Sequence, residues 1–159
     1  MRVLFTVALT VAVAGVVLPA VDVAALDRAE SESRGEVARL VEAGRTLAAS
    51  NDALATRERA ARRILTLEFP SNGFASTPLI AFTVGPPRNG TRSDGEPGAG
   101  ATRITWRVAG GERHVTQVDG LRMRSVDGGR FRLHEGGRQR LVLTLLDRGG
   151  RRVVTVSRQ

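Results

Sequence analysis

An uncharged apolar run opens the chain and constrains the rest of it more than any other feature. Residues 3–21 read VLFTVALTVAVAGVVLPAV. As a helix rising about 1.5 Å per residue, this run would be roughly 28 Å long, close to the thickness of a bilayer's hydrocarbon core. Arg2 precedes the run, whereas acidic residues follow it, first Asp22 and Asp27. Because basic residues are retained on the cytoplasmic side, we expect the N-terminus inside and the remaining chain outside the cytoplasmic membrane.

The same run also has features of a cleavable secretory signal. Such a signal has a basic start, an apolar centre and small residues before the cleavage site. Val23-Ala24-Ala25 fits cleavage before Leu26, and Leu18-Pro19-Ala20 offers a second position. Residues 1–25 are therefore predicted to be either a retained transmembrane anchor or a signal peptide, and cleavage would leave a secreted or cell-envelope protein.

The net charge of +8 is concentrated at the C-terminal end of the chain. Residues 101–159 contain 13 arginines and five acidic residues, while residues 1–100 are neutral overall. Every basic side chain is an arginine, which reflects either the base composition of the genome or an anionic partner such as lipid head groups, surface polysaccharide or nucleic acid. The chain has no cysteine, so disulfides, thiolate metal ligands and cysteine nucleophiles are excluded.

Residues 26–62 are predicted to form an amphipathic helical stretch. Apolar residues recur there at spacings of three and four, which places them on one face of a helix. We expect this stripe to pack onto the sheet that follows; its members are Val37, Leu40, Val41, Gly44, Leu47 and Ala48. Ser50-Asn51-Asp52 either ends the helix or caps a short second helix over 53–62, in which Glu58 and Arg62 would pair.

From residue 63 onward the apolar period changes from about 3.6 to 2, which is typical of strands. Strands are predicted at 64–69, 79–84, 103–108, 113–118, 121–124, 130–133, 140–146 and 151–156. Hairpin turns are predicted at Gly110-Gly111, at Asp127-Gly128-Gly129 and at 147–150. Residues 85–101 hold five glycines and three prolines without an apolar pattern, which predicts a mobile surface loop.

These patterns predict the α+β fold class. An N-terminal apolar helix would run into the amphipathic helix, followed over 63–159 by a β-rich extracytoplasmic domain. That domain is predicted to be a mostly antiparallel β-sheet of about six to eight strands.

Arginines alternate with the apolar positions along the middle strands. If neighbouring strands pair in register, these side chains form one cationic face; its predicted members are Arg103, Arg107, Arg122, Arg124, Arg130 and Arg132. Proteins that bind single-stranded nucleic acid interleave such charge with aromatic stacking platforms, whereas Trp106 and Phe131 are both predicted to face inward. The pattern therefore argues against nucleic acid. It leaves either a solvated face or contact with an acidic glycan or lipid.

The sequence contains none of the common catalytic or cofactor motifs. It has no Gly-x-Ser-x-Gly, no P-loop and no Gly-x-Gly-x-x-Gly after a strand. His114 and His134 stand on different predicted strands, so both are predicted to be surface histidines rather than metal ligands. We therefore expect no enzyme, no cofactor, no metal and no small-molecule substrate. Asn89-Gly90-Thr91 is a sequon that predicts N-glycosylation at Asn89.

A membrane-length apolar helix, an amphipathic helix and a β-rich domain, in this order, resemble the plan of type IV pilins and pseudopilins. The resemblance rests on the run 3–21, the stripe within 37–48 and the strands beyond. The chain is also similar to small haloarchaeal pilin-like proteins through Leu18-Pro19-Ala20-Val21, the Arg/Ala-rich helix and Arg-Leu-Val-Leu at 140–143. It departs from the family at the processing site, since only two residues precede the run and no acidic residue lies within it.

The resemblance implies a membrane-anchored, pilin-like accessory (minor) subunit of a surface filament or secretion system. Residues 3–21 would contact the membrane, and the N-terminal helix would contact the helices of other pilin-like subunits. The alternative is a secreted or cell-envelope binding protein with a cleaved signal peptide, whose arginine-rich face meets anionic surface components. Both are structural or interaction roles.

Overall fold

A computed structural model describes the backbone of residues 2–50, 53–73, 76–87 and 100–159, and the side chains of these ranges except residues 2–21 and Ser50. Within these ranges, one long helix is followed by eight strands. In chain order the elements are α1 (Arg2–Ser50), β1 (Arg62–Phe69), β2 (Leu79–Gly85), β3 (Thr102–Val108), β4 (His114–Val118), β5 (Met123–Ser125), β6 (Phe131–Leu133), β7 (Gly137–Asp147) and β8 (Arg152–Arg158).

The eight strands form two four-stranded sheets. The first sheet has the order β1-β7-β8-β5, and the second sheet has the order β4-β3-β2-β6. All neighbouring strands are antiparallel except β5 and β8, which are parallel. The predicted α+β class with mostly antiparallel strands is therefore confirmed. The division into two sheets was not predicted, because an alternating pattern reveals a buried face but not the neighbour on either side.

The hairpin predicted between β5 and β6 is wrong, although the turn between them exists. The amide of Ser125 donates a hydrogen bond to the carbonyl of Gly129 at 3.0 Å, and Gly128 takes the positive φ of 81° that a tight turn needs. The two strands nevertheless belong to different sheets, since β5 pairs with β8 and β6 pairs with β2. The turn therefore carries the chain from one sheet to the other.

The core lies between the inner faces of the two sheets and one side of α1. The buried positions of the helix recur every three or four residues, and they are Ala29, Ser33, Val37, Leu40, Ala43, Gly44 and Leu47. These positions include most of the predicted stripe, and its members Val41 and Ala48 are partly buried beside the core. Phe69 of the first sheet meets Phe82 of the second with ring centroids 5.0 Å apart. The stripe thus packs against both sheets.

The chain between the helix and β1 forms no second helix in its described residues 53–61. Instead, Leu54 forms a parallel bridge with Leu146, and the amide of Asp147 donates to the carbonyl of Leu54 at 3.0 Å. Arg62 donates to the carbonyl of Arg57 at 2.7 Å. Pairing with the end of β7 satisfies backbone groups that a short helix would have bonded internally, so tertiary contacts override the helical propensity of this segment.

Two predictions concern residues that the structure does not describe. Among the described residues, no helix is long and apolar enough to cross a membrane. The side chains of the apolar run 3–21 lie outside the described residues, so the membrane anchor stays a prediction. Residues 88–99, which hold Asn89 and most of the predicted mobile loop, also lie outside the described residues.

Thr102 links the two sheets through hydrogen bonds in the core. Its fully buried hydroxyl donates to the carbonyl of Leu121 at 2.6 Å, and it accepts from the amide of Met123 at 2.8 Å. Thr102→Val keeps the shape but leaves both backbone groups without this partner, so we expect the free energy of unfolding to fall by about 1–3 kcal/mol. Denaturant unfolding followed by the fluorescence of Trp106, the only tryptophan, measures this loss. Thr102→Ser retains the hydroxyl and should lose clearly less; an equal loss in both variants would contradict the assigned role.

Candidate functional site

The outward face of the second sheet collects arginines from several strands. Successive side chains of a strand point to opposite faces of the sheet. Because Phe82, Val84 and Ile104 are buried, the residues next to them along β2 and β3 point outward. Cross-strand neighbours on this outward face are Ala81 and Arg107, Thr83 and Thr105, Gly85 and Arg103, and Thr83 and Arg132. The face therefore carries small or hydroxyl residues along β2 and arginines on both sides of it.

This face is concave and encloses a cavity of about 400 Å³. Five arginines and one histidine line the cavity, and together they are called the cationic cleft: Arg103, Arg107, Arg113, Arg130, Arg132 and His134. Thr83 and Thr105 lie between them. A bulge in β2 between Leu79 and Ala81 also brings Ile80 to the wall of the cleft.

Two of the arginines in the cationic cleft are held by backbone carbonyls. Arg130 donates from Nε and NH2 to the carbonyl of Pro86 at 3.2 and 3.0 Å. This position of the Arg130 side chain requires glycine at residue 85, because a Cβ at residue 85 would lie 2.6 Å from Cγ of Arg130. Arg107 donates from Nε to the carbonyl of Gly111 at 3.2 Å. Both guanidinium groups are thus positioned before any ligand arrives.

Four arginines elsewhere on the described surface are paired with carboxylates. The pairs are Arg28–Glu32 at 2.8 Å, Arg39–Glu36 at 2.8 Å, Arg138–Glu68 at 2.9 Å and Arg158–Glu135 at 3.8 Å. The hydrogen bond to Glu32 and the charge of that carboxylate raise the pKa of Arg28 above its usual value. Among the described residues, no carboxylate forms an ion pair with an arginine of the cationic cleft. The described carboxylates therefore do not neutralise the positive charge of the cleft.

Four of the six arginines predicted to share one face lie in the cationic cleft. The other two, Arg122 and Arg124, do not line it. Arg124 belongs to β5 in the first sheet, opposite Thr155, and the carbonyl of Arg122 accepts a hydrogen bond from the amide of Val154 in the same sheet. These two residues separate from the rest because the chain changes sheets at the turn after β5.

Arg113 and His134 belong to the cationic cleft but were not predicted as part of the face. Both continue an alternation that the sequence shows, since His134 stands two residues beyond Arg132 and Arg113 stands two residues before the exposed Val115. Arg113 could have been found as an outward position at the start of the predicted strand 113–118, and His134 by extending the alternation one residue past Leu133. His134 is exposed, as predicted.

His114 lies at the seam between α1 and the second sheet, not on the open surface. It is the cross-strand partner of Trp106, and their rings stack with centroids 4.0 Å apart and an interplanar angle of 15°. Nε2 of His114 lies 3.1 Å from Oε1 of Glu30, yet it forms no hydrogen bond with a described residue. His114 and Glu30 are therefore close neighbours without a hydrogen bond between them. The side chain is only 27% exposed, so the prediction of a surface histidine is wrong here.

Comparison with known proteins places the whole chain in one family. A family model for a domain of unknown function, DUF7311, matches residues 1–159. The chain belongs to the DUF7311 family. No curated protein and no solved structure matches this DUF7311 chain.

The chemistry of the cationic cleft in this DUF7311 chain is that of an anion receptor. Guanidinium groups only donate hydrogen bonds, and their planar forks match the geometry of carboxylate, sulfate and phosphate groups. Hydroxyls of Thr83 and Thr105 add groups that both donate and accept. Within the described residues, no group of three or more His, Asp or Glu side chains could hold a metal ion. The arrangement is thus suited to binding an anionic partner through several side chains at once.

Proposed function

We propose that this chain is a membrane-anchored, pilin-like accessory subunit of a surface filament or secretion system, with a structural or interaction role and no catalysis. One observation carries the proposal: α1 is a single helix from Arg2 to Ser50, and among its described side chains the buried ones begin only at Ala29. The second half of the helix thus docks on the β-domain, while the first half consists of the apolar run. A helix shared in this way between a membrane and a β-rich domain follows the pilin plan.

The orientation follows from the charges on either side of the run. Arg2 favours the cytoplasmic side, and the acidic residues from Asp22 onward impose no such retention. The β-domain and its cationic cleft therefore face outward. In the membrane, the apolar half of α1 is available to contact the helices of neighbouring subunits.

A charge placed at the centre of the run tests the anchor. Val11→Arg should lower membrane retention, because an arginine near the centre of a membrane helix opposes insertion by about 2.5–3.5 kcal/mol. The measurement is the fraction of protein that stays with the membrane after alkaline extraction. Val23→Arg is the matched control, since Val23 lies just beyond the run and is 59% exposed; it should leave retention unchanged. Equal retention in both variants and the unaltered chain would contradict the anchor.

A second role is favoured by the cationic cleft, namely that of a cell-envelope binding protein whose signal segment is removed. Five arginines on one concave face support it, because none of them forms an ion pair with a described carboxylate. Intact-mass measurement of the purified protein separates the two proposals. A mass equal to that of the chain from Met1 supports the anchored subunit. A mass equal to that of a chain from Val21 or Leu26 supports the envelope protein.

A further inference from the structure

We infer that the cationic cleft binds an extended acidic saccharide, that is, an oligosaccharide that carries carboxylate or sulfate groups along its length. The inference deepens the binding role proposed for this face, on which it rests, and it applies equally to an anchored and a released chain. Three observations contribute to it. They are the positions of the arginines, the absence of ion pairs between them and the described carboxylates, and the residues that lie between them.

The arginines of the cationic cleft start from backbone positions that are spread along the second sheet. Arg103 and Arg107 stand four residues apart on β3, which separates their backbones by about 13 Å. Arg132 lies on β6, two strands from β3 in the second sheet, at roughly 10 Å in the direction across the strands. A single phosphate or sulfate ion could contact only part of this set. A polymer with repeated anionic groups can engage all of it.

Binding at the cleft requires little rearrangement of the protein. Arg107 and Arg130 are already held by backbone carbonyls, so part of the ordering entropy is lost before the ligand binds. Arg103, Arg113 and Arg132 form no ion pair with a described carboxylate. An incoming anion therefore does not have to displace a described carboxylate from these side chains.

The residues between the arginines suit a sugar chain. Thr83 and Thr105 are paired directly across β2 and β3 and are half-buried, so their hydroxyls can exchange hydrogen bonds with ring hydroxyls. Ile80, which is 40% exposed, provides apolar contact at the wall of the cleft. Saccharide rings present both hydroxyl and C–H groups to such a surface.

The same observations disfavour other polyanions. Nucleic-acid binding surfaces stack bases on exposed aromatic rings, but Trp106 is 2% exposed and Phe131 is 8% exposed. Thr83 and Thr105 are half-buried between the arginines, so a flexible anionic chain can reach them more readily than a flat layer of lipid head groups can.

The test measures binding of defined oligosaccharides to the full-length protein in non-ionic detergent micelles. The probes are an oligo-uronate, which carries carboxylates, and a heparin oligosaccharide, which carries sulfates as well; neutral dextran is the uncharged control. We expect both acidic probes to bind and dextran not to bind. Tighter binding of one acidic probe identifies whether carboxylate or sulfate is preferred.

Paired variants locate the binding on the protein. R103Q/R132Q removes two arginines of the cationic cleft that form no ion pair with a described carboxylate. We expect the Kd of the acidic probes to rise about tenfold. R124Q/R140Q is the matched control, because it removes the same charge from exposed strand positions of the first sheet and should change the Kd less than about twofold. R103K/R132K keeps the charge without the planar fork and should bind more weakly than the unaltered chain. Unchanged unfolding midpoints show that the variants fold.

Four results would overturn the inference. Equal weakening in the two glutamine variants would mean that only net charge matters. A single-stranded oligonucleotide that binds the cleft more tightly than the saccharides would assign it to nucleic acid. Binding of anionic vesicles, but not of oligosaccharides, that depends on Arg103 and Arg132 would preserve the proposed envelope-binding role while refuting the saccharide. If no anionic probe depends on these arginines, that binding role fails as well, whereas the anchored-subunit proposal is tested separately at Val11.

Discussion

Replacement of Leu40 by alanine is expected to lower the free energy of unfolding by roughly 2–5 kcal/mol, the range for truncating a buried leucine. Leu40 is fully buried at the centre of the helical stripe and belongs to the same core cluster as side chains from both sheets. Its removal leaves a cavity where α1, the first sheet and the second sheet meet. Denaturant unfolding in micelles, followed by the fluorescence of Trp106, measures the loss.

Leu54→Ala provides the matched control for this experiment. Leu54 undergoes the same chemical change, but its side chain is 41% exposed. The free energy of unfolding of this variant should therefore differ from that of the unaltered protein by less than about 1 kcal/mol. Similar losses in the two variants would show that α1 does not pack against the sheets as described. That result would also remove the main support for a helix shared between the membrane and the β-domain.

Gly136→Ala should destabilise the protein by about 3 kcal/mol, at the upper end of the range for overpacking. A Cβ at Gly136 would clash with the carbonyl oxygen of Pro70. That carbonyl is held in place because it accepts a hydrogen bond from the amide of Leu79 at 2.8 Å. The clash therefore requires backbone movement where β1, β2 and β7 approach each other. Thermal and denaturant unfolding both report the change.

Gly129→Ala is the corresponding control in the turn before β6. No atom lies within 4 Å of a Cβ built at Gly129, and its backbone does not need a positive φ. Reduced freedom of the unfolded chain makes this substitution neutral or stabilising by less than about 1 kcal/mol. If Gly136→Ala proved as benign as Gly129→Ala, the close approach of Gly136 to Pro70 would be refuted.

The strands were predictable because their residues alternate over short distances. The predicted strand 79–84 corresponds to β2, Leu79–Gly85, and the predicted strand 130–133 contains β6, Phe131–Leu133. The turn at Gly110 was equally readable, since this residue takes a φ of 70° between β3 and β4. Backbone sterics and the pleat act within a few residues of each position, so the local sequence carries this information.

The second helix at 53–62 failed for the opposite reason. Its alanines, arginines and glutamate have good helical propensity, but tertiary contacts decide the outcome. The carbonyl of Leu54 accepts a hydrogen bond from the amide of Asp147 at the end of β7, and Arg57 donates to Ser157 at 3.4 Å. Both partners lie about a hundred residues further along the chain, where no local pattern connects them to this segment.

The local order of residues in this protein determines an apolar run, an amphipathic stripe and the buried face of each strand, because each of these depends on periodicity within a single element. Tertiary structure decides which strands become neighbours. It assigned Arg124 to the first sheet and gathered Arg103, Arg113 and Arg132 around one cleft of the second. Strand pairing depends on long-range packing of the shared core and on the turn that carries the chain between the sheets, neither of which leaves a periodic mark in the sequence.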